Sequence, residues 1–196
     1  PVYELGVVDG VYFLAMEHVA GATLNEILRA GPLPPGLVAH LGAEIGDALH
    51  YAHERFGVVH RDVTPRNVIV DGEGHARLLD FGIAARAEDA SGTELFGTPG
   101  YLAPEHLAGS PKPASDVFGL GAVLYEALTG RRAFPGRTVD ETREALTAGA
   151  PAFRPADAVP EELASVVRRA VAGALEDRFG RAGDLTRALR AWLARH

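Results

Sequence analysis

Two short runs constrain this chain more than anything else in it. His60-Arg61-Asp62-Val63-Thr64-Pro65-Arg66-Asn67 sets an acid, a proline and an amide close together, and Asp80-Phe81-Gly82 follows with its acid 18 positions after Asp62. Asp62, Asn67 and Asp80 offer oxygen atoms that suit a hard cation such as Mg2+ or can accept a proton. Pro65 helps keep the first run out of a helix, so that its carboxylate stands free in a loop. Alone, such an Asp is usually a helix cap and such an Asn a turn residue. Found in this order, with matching residues downstream, the two runs are not an accident of composition.

Around them the chain divides into strand-like and helix-like stretches. Val2 to Leu5 and Val11 to Glu17 read as short strands, joined at Val8-Asp9-Gly10, because Asp-Gly is a strong hairpin signal. Thr23-Leu24-Asn25-Glu26 has the form in which a Thr hydroxyl and a Glu three residues later share the first backbone donors of a helix. That short helix should end near Gly31-Pro32. From Pro35 to Phe56 apolar residues recur at 37, 38, 41, 45, 48, 49, 52 and 56, one face of a helix. Val58-Val59 and Val68-Ile69-Val70 predict strands flanking the His60 run, Gly72 and Gly74 a turn, and Ala76 to Leu79 a lead into Asp80. Ile83 to Tyr101 is small, polar and aperiodic, a long loop of the kind that is usually functional. Asp116 to Leu128 is apolar almost all round, which predicts a buried central helix ended by Gly130. Thr138 to Ala148, Glu161 to Leu175 and Gly183 to Arg195 predict three more helices, with Pro151, Pro155 and Pro160 as breakers between them.

Composition narrows the classes. With 196 residues, 47% hydrophobic and 23% charged, the chain can bury the core of one domain or one large lobe. The absence of cysteine removes disulfides and thiolate metal sites. A pI of about 5.6 and a net charge of −7 speak against a broad nucleic-acid surface, so no nucleic-acid partner is expected. No apolar run approaches ~18 residues and no signal peptide is visible, so no membrane segment is expected in the chain. A cytoplasmic location is expected, with an anchor beyond His196 left open.

Gly97-Thr98-Pro99-Gly100-Tyr101-Leu102-Ala103-Pro104-Glu105 completes the pattern. With His60 to Asn67 and Asp80 to Gly82 it resembles the catalytic loop, magnesium loop and substrate-binding segment of serine/threonine protein kinases of the bacterial, eukaryotic-like kind. The resemblance covers essentially the whole chain. It implies an α+β kinase fold, here mostly the helical C-lobe. Residues 1–17 would be remnant strands of the N-lobe, and residues 18–196 the hinge and C-lobe. It also implies transfer of the ATP γ-phosphate, with Mg2+, to Ser or Thr hydroxyls of protein substrates.

The roles implied are specific. Asp62 would accept the proton of the acceptor hydroxyl, and Asn67 and Asp80 would hold Mg2+. His60 and Phe81 would stack to fix the metal loop that Gly82 completes. Arg61 would meet a phosphate on the loop after Gly82, its alternative being a surface salt bridge. Thr93 first, then Ser91, are the candidates for that phosphate, unless they are ordinary loop hydroxyls. Thr98 marks the Ser/Thr pattern in the substrate segment. Asp116 would tie down the catalytic loop by accepting backbone donors, and Arg178 would pair with Glu105. Phe13 to Val19 resembles the strand and hinge between the lobes. There Met16 would sit behind the adenine, Glu17 and Val19 would bond its edge, and Thr23 would lie near the ribose. Leu24 and Ile69 would pack beneath the ring. For Met16, Leu24 and Ile69 ordinary core packing is the competing reading.

The chain also departs from the family. It has no Gly-x-Gly-x-x-Gly and no strand Lys, and it begins at Pro1, so it reads as N-terminally truncated and impaired in phosphotransfer when alone. The front strands would then expose a sheet edge, and dimerisation through the missing lobe is allowed. Thr64 stands where these kinases usually carry Lys, and Arg66 either supplies the lost charge or is a solvated surface Arg. A pseudokinase scaffold is the main alternative. A small-molecule kinase is a third, weakened by the presence of Gly97 to Glu105.

Overall fold

The computed structural model describes residues 2–8, 11–81 and 96–196, and gives the first two strands by their backbone. The front is a pair of strands, β1 (Val2–Val8) and β2 (Val11–Met16), antiparallel, with Val8 opposite Val11. Next come β3 (Gly21–Thr23) and α1 (Leu24–Ile27), opened by the expected reciprocal cap: Thr23 Oγ1 accepts from Glu26 N–H, and the Thr23 N–H donates to Glu26 Oε2 at 2.9 Å. The sequence shows no sign of β3. It exists because its partner exists: Gly21 to Thr23 adds antiparallel to β4 (Val68–Asp71), which pairs in turn with β5 (Ala76–Leu78), in the order β3-β4-β5.

The rest is helical: α2 (Pro35–Phe56), α3 (Pro104–Leu107), α4 (Pro113–Thr129), α5 (Val139–Thr147), α6 (Glu161–Ala170) and α7 (Ala182–Leu193). This is an α+β fold, mainly helical. Helix α4 runs through the centre with nearly every side chain buried, as a helix apolar on all sides must. Pro113 starts it where no N–H is needed, and Gly130 ends it at φ 68°. Two glycines let α2 approach its neighbours closely. A Cβ on Gly42 would lie 2.7 Å from Leu124 of α4, and one on Gly46 would lie 2.4 Å from Thr186 of α7. No helix among the described residues is long and apolar enough to cross a membrane.

Three expectations need correction. Val58-Val59 is not a strand: Gly57 turns left-handed at φ 64° to end α2, and the Val58 N–H is spent on Ala52 O at 3.3 Å. Helix α6 stops at Ala170, short of Leu175, because the chain turns to feed carbonyls to a buried guanidinium: Arg178 donates to Ala172 O at 2.8 Å and Gly173 O at 3.1 Å. Leu37 and Phe56, counted in the apolar face of α2, are exposed.

Candidate active site

The site is built outward from one carboxylate. Asp116 lies in the first turn of α4 and is 1% exposed. A buried charge must be compensated by hydrogen bonds or an ion pair. Asp116 Oδ2 accepts from the His60 N–H and from His53 Nε2, both at 2.7 Å, and Oδ1 accepts from the Arg61 N–H at 2.8 Å. Two successive backbone donors aim at one anion because Arg61 takes φ 71°, the left-handed turn that makes such a concavity. The fold stores a little strain to hold this loop.

His60 carries the anchorage to the second loop. It is fully buried; its Nε2–H donates to Leu79 O at 2.7 Å, and its Nδ1 accepts from the Asp62 N–H at 3.3 Å. Its ring meets Phe81 edge to face rather than stacked, centroids 4.8 Å apart. Asn67 O accepts from the Leu79 N–H at 2.8 Å, so the two loops are stitched together on both sides of Leu79. Asp80 comes next, exposed and at φ 58°. Of the three non-glycine residues with left-handed φ among those described, two, Arg61 and Asp80, are in this site. Strain gathers where side chains must be displayed rather than packed.

Asp62 is held on both oxygens yet remains partly exposed. Oδ1 accepts from the Thr98 N–H at 2.9 Å and Oδ2 from Asn67 Nδ2 at 2.9 Å. Asn67 Nδ2 also donates to Asp62 O at 2.8 Å, which leaves the amide oxygen as the atom available to a cation. Asp80 supplies carboxylate oxygens one residue beyond the Leu79 stitch. Two hard oxygen donors of this kind fit Mg2+ and would not select a softer ion.

The segment from Gly97 to Glu105 is pinned along its length. Gly97, at φ 122°, passes so close to the His60–Asn67 loop that a Cβ there would lie 2.8 Å from Arg61 O. Tyr101 donates its hydroxyl to Glu126, and Arg132 lies over its ring at 5.6 Å. Burial and the Glu126 carboxylate push that phenol well above its ordinary 10.0. Glu105 accepts from Arg178 at 2.7 and 3.2 Å and from the Ser115 hydroxyl at 2.6 Å. Arg178 is sealed, gives a further bond to Ala114 O at 3.0 Å, and stacks on Phe118 at 5.0 Å. The predicted Arg178–Glu105 and Asp116 anchors are thus both present.

The remaining candidates divide. Thr64 is buried and Arg66 exposed, with Arg66 near enough to Tyr101 to act on its phenol. Glu17 and Val19 lie in a stretch with no helix or strand, and Ile69 is partly exposed, opposite Thr23 in the β3–β4 pair. The Thr23 hydroxyl is committed to its cap with Glu26. Leu24 is 2% exposed inside the core and has no surface left for a ligand, so for this residue the packing alternative describes its place. Met16 ends β2 opposite Val2, and its side chain lies outside what is described. Gly82, Ser91 and Thr93 lie outside the described residues. Arg61 is partly buried beside His106, whose imidazole burial holds below its usual range.

His53 is the residue that sequence reasoning missed. It sits next to Ala52 on the buried face of α2, with a side chain only 5% exposed. A histidine inside an apolar stripe was the available signal, since buried polar groups need partners.

The protein kinase domain profile matches residues 3–187. The chain belongs to the protein kinase domain family. The kinase domain is 35% identical over 193 residues to the serine/threonine-protein kinase PrkC of Bacillus subtilis, covering 94% of this chain and 29% of that protein. To PknE of Mycobacterium tuberculosis it is 35% identical over 202 residues, covering 99% of this chain and 35% of PknE. To PknH of the same organism it is 37% identical over 194 residues, covering 94% and 30%. The kinase domain chain therefore spans about a third of the length of the curated relatives it matches.

Proposed function

We propose that this chain forms the catalytic part of a serine/threonine protein kinase that uses Mg2+ and ATP. The observation that carries the reading is Asp62: partly exposed, held on both oxygens by Thr98 and Asn67, and standing on a loop locked to Asp116. In the reaction an acceptor hydroxyl oxygen bonds to the γ-phosphorus of ATP, the bond to the bridging oxygen breaks, ADP leaves, and Asp62 takes the hydroxyl proton. Phosphoryl transfer needs mostly positioning and charge neutralisation. Mg2+ would supply that neutralisation when bound, and Asn67 Oδ1 and the Asp80 carboxylate would hold it. On this reading the backbone of Glu17 and Val19 would meet the adenine edge, Met16 would stand behind it and Ile69 beneath it, and Thr23 would border the ribose through its backbone.

The Gly97 to Glu105 segment, pinned through Thr98, Tyr101 and Glu105, is the docking platform for a polypeptide bearing the hydroxyl. Arg66, exposed and four positions after Asp62, takes the role of the missing lysine, since Thr64 is buried and carries no charge. Phosphate on Thr93 or Ser91 would be met by Arg61. Thr64, uncharged where these kinases usually carry lysine, favours the alternative of a pseudokinase. One experiment separates the two readings: incubate the full-length protein with Mg·ATP beside an Asp62→Asn control, and map new phosphates by mass spectrometry. Phosphoserine or phosphothreonine in the wild type alone supports the kinase. No transfer to itself or to a generic basic protein, despite ATP binding, overturns it in favour of the scaffold.

A further inference from the structure

A second cluster of ligating side chains lies away from the active site, on the flank where α2 meets the β4–β5 turn. His40 and Glu44 are one helical turn apart on α2 and so share a face. His75 reaches them from the turn, 31 positions after Glu44. The ligating atoms of all three lie within 4.8 Å of one another. His40 Nε2 stands 3.6 Å from Glu44 Oε1, and His75 Nδ1 stands 2.7 Å from the same oxygen.

We propose that His40, Glu44 and His75 form a binding site for a divalent transition-metal ion, Zn2+ in particular, which clamps the β4–β5 hairpin onto α2. A tetrahedral Zn2+ with bonds of about 2.1 Å holds its ligand atoms about 3.4 Å apart. The His40–Glu44 separation already has that value within a few tenths of an ångström. The His75–Glu44 hydrogen bond must open by less than 1 Å, roughly, to admit the ion. Two imidazole nitrogens and one carboxylate are the ligand set of zinc sites that keep a position for water, and nitrogen donors turn the site away from Mg2+ and Ca2+.

The scaffold orients the ligands in advance. Glu44 Oε2 accepts from the Ala76 N–H at 2.6 Å, which turns Oε1 to the two histidines. Asp71 Oδ1 accepts from the N–H groups of Glu73 and His75 at 3.0 and 2.9 Å, which sets the turn that carries His75. Such outer bonds fix the direction of a ligand and raise affinity. With His40 and His75 about half exposed, an ion reaches the site from solvent. The consequence reaches further than the surface, because the hairpin begins just after Asn67 and ends just before Asp80. An ion at its tip stiffens the element that joins these two residues.

The test is a Zn2+ titration of the full-length protein against a chromophoric chelator, with saturating Mg2+ present so that hard oxygen sites are filled. The variants are His40→Ala, His75→Ala and the double substitution. Both histidines are half exposed, so each variant should melt at the wild-type temperature without metal. The expected result is one Zn2+ per chain at this site, bound roughly tenfold or more weakly after either substitution. Zn2+ should raise the melting temperature of the wild type but not of the double variant, and Co2+ should give a visible absorption band only when both histidines are present. Equal Zn2+ affinity in the wild type and the double variant overturns the proposal, as does a wild type that binds no Zn2+.

Discussion

Two aspartates of this kinase domain, Asp116 and Asp62, sit in the same site and are used in opposite ways. Asp116 is 1% exposed and accepts three hydrogen bonds, two from backbone and one from His53. Asp62 is partly exposed and accepts two, one on each oxygen. Each carboxylate oxygen has two lone pairs, so Asp62 keeps capacity turned to solvent while Asp116 has spent most of its own on the fold. The difference teaches how this architecture separates rigidity from reactivity. A buried, hydrogen-bonded anion holds the loop, and a less satisfied one is displayed by it.

The sharpest way to break this comparison is to neutralise each aspartate and read rate and stability separately. Asp62→Asn should lower turnover by about 10²–10⁴-fold, the range of a lost general base, while the melting temperature stays near wild type. A large fall in melting temperature would show that Asp62 is a second anchor. Asp116→Ala should do the reverse. It leaves two backbone donors and a buried histidine without their acceptor, and should cost about 3–5 kcal/mol in urea unfolding. Activity would fall with it only as far as the loop is lost. His53→Ala removes one of the three donors, so it should cost about 1–3 kcal/mol. If it costs nothing, Asp116 is held by the backbone alone.

How much of this was legible in the sequence follows the same division. The displayed residues announced themselves, because Asp62, Asn67 and Asp80 stand in short runs of fixed spacing. So did local punctuation: Pro35 opens α2, and Gly130 ends α4. What was hidden depends on contacts remote in sequence. Nothing local says that Arg178 will draw the carbonyls of Ala172 and Gly173 and so end α6 early. Nothing in Gly21 to Thr23 reads as a strand until β4 lies beside it. His53 is 63 positions from Asp116, and His75 is 31 from Glu44, so no spacing rule marks either meeting. Leu24 looked like a ligand contact by register, but its side chain points into the core.

A third carboxylate, Glu105, lies between the two extremes and sharpens the comparison by its response to acid. Burial alone would raise its pKa, but the bonds from Arg178 and Ser115 outweigh it and hold the group below its ordinary 4.5. A carboxyl depressed in the folded state stabilises the fold while ionised. Its contribution is therefore complete above 4.5 and is lost as pH falls through the lower folded value. Glu105→Gln removes the charge and leaves Arg178 buried without its ion pair, which should cost about 1.5–3 kcal/mol near neutral pH. Melting wild type and variant side by side, from neutral pH down past the carboxylate range, should show the gap closing on the acid side. A gap that stays constant through that range would mean that Glu105 holds the segment by shape and hydrogen bonding alone, and that Arg178 is satisfied by the carbonyls of Ala114, Ala172 and Gly173.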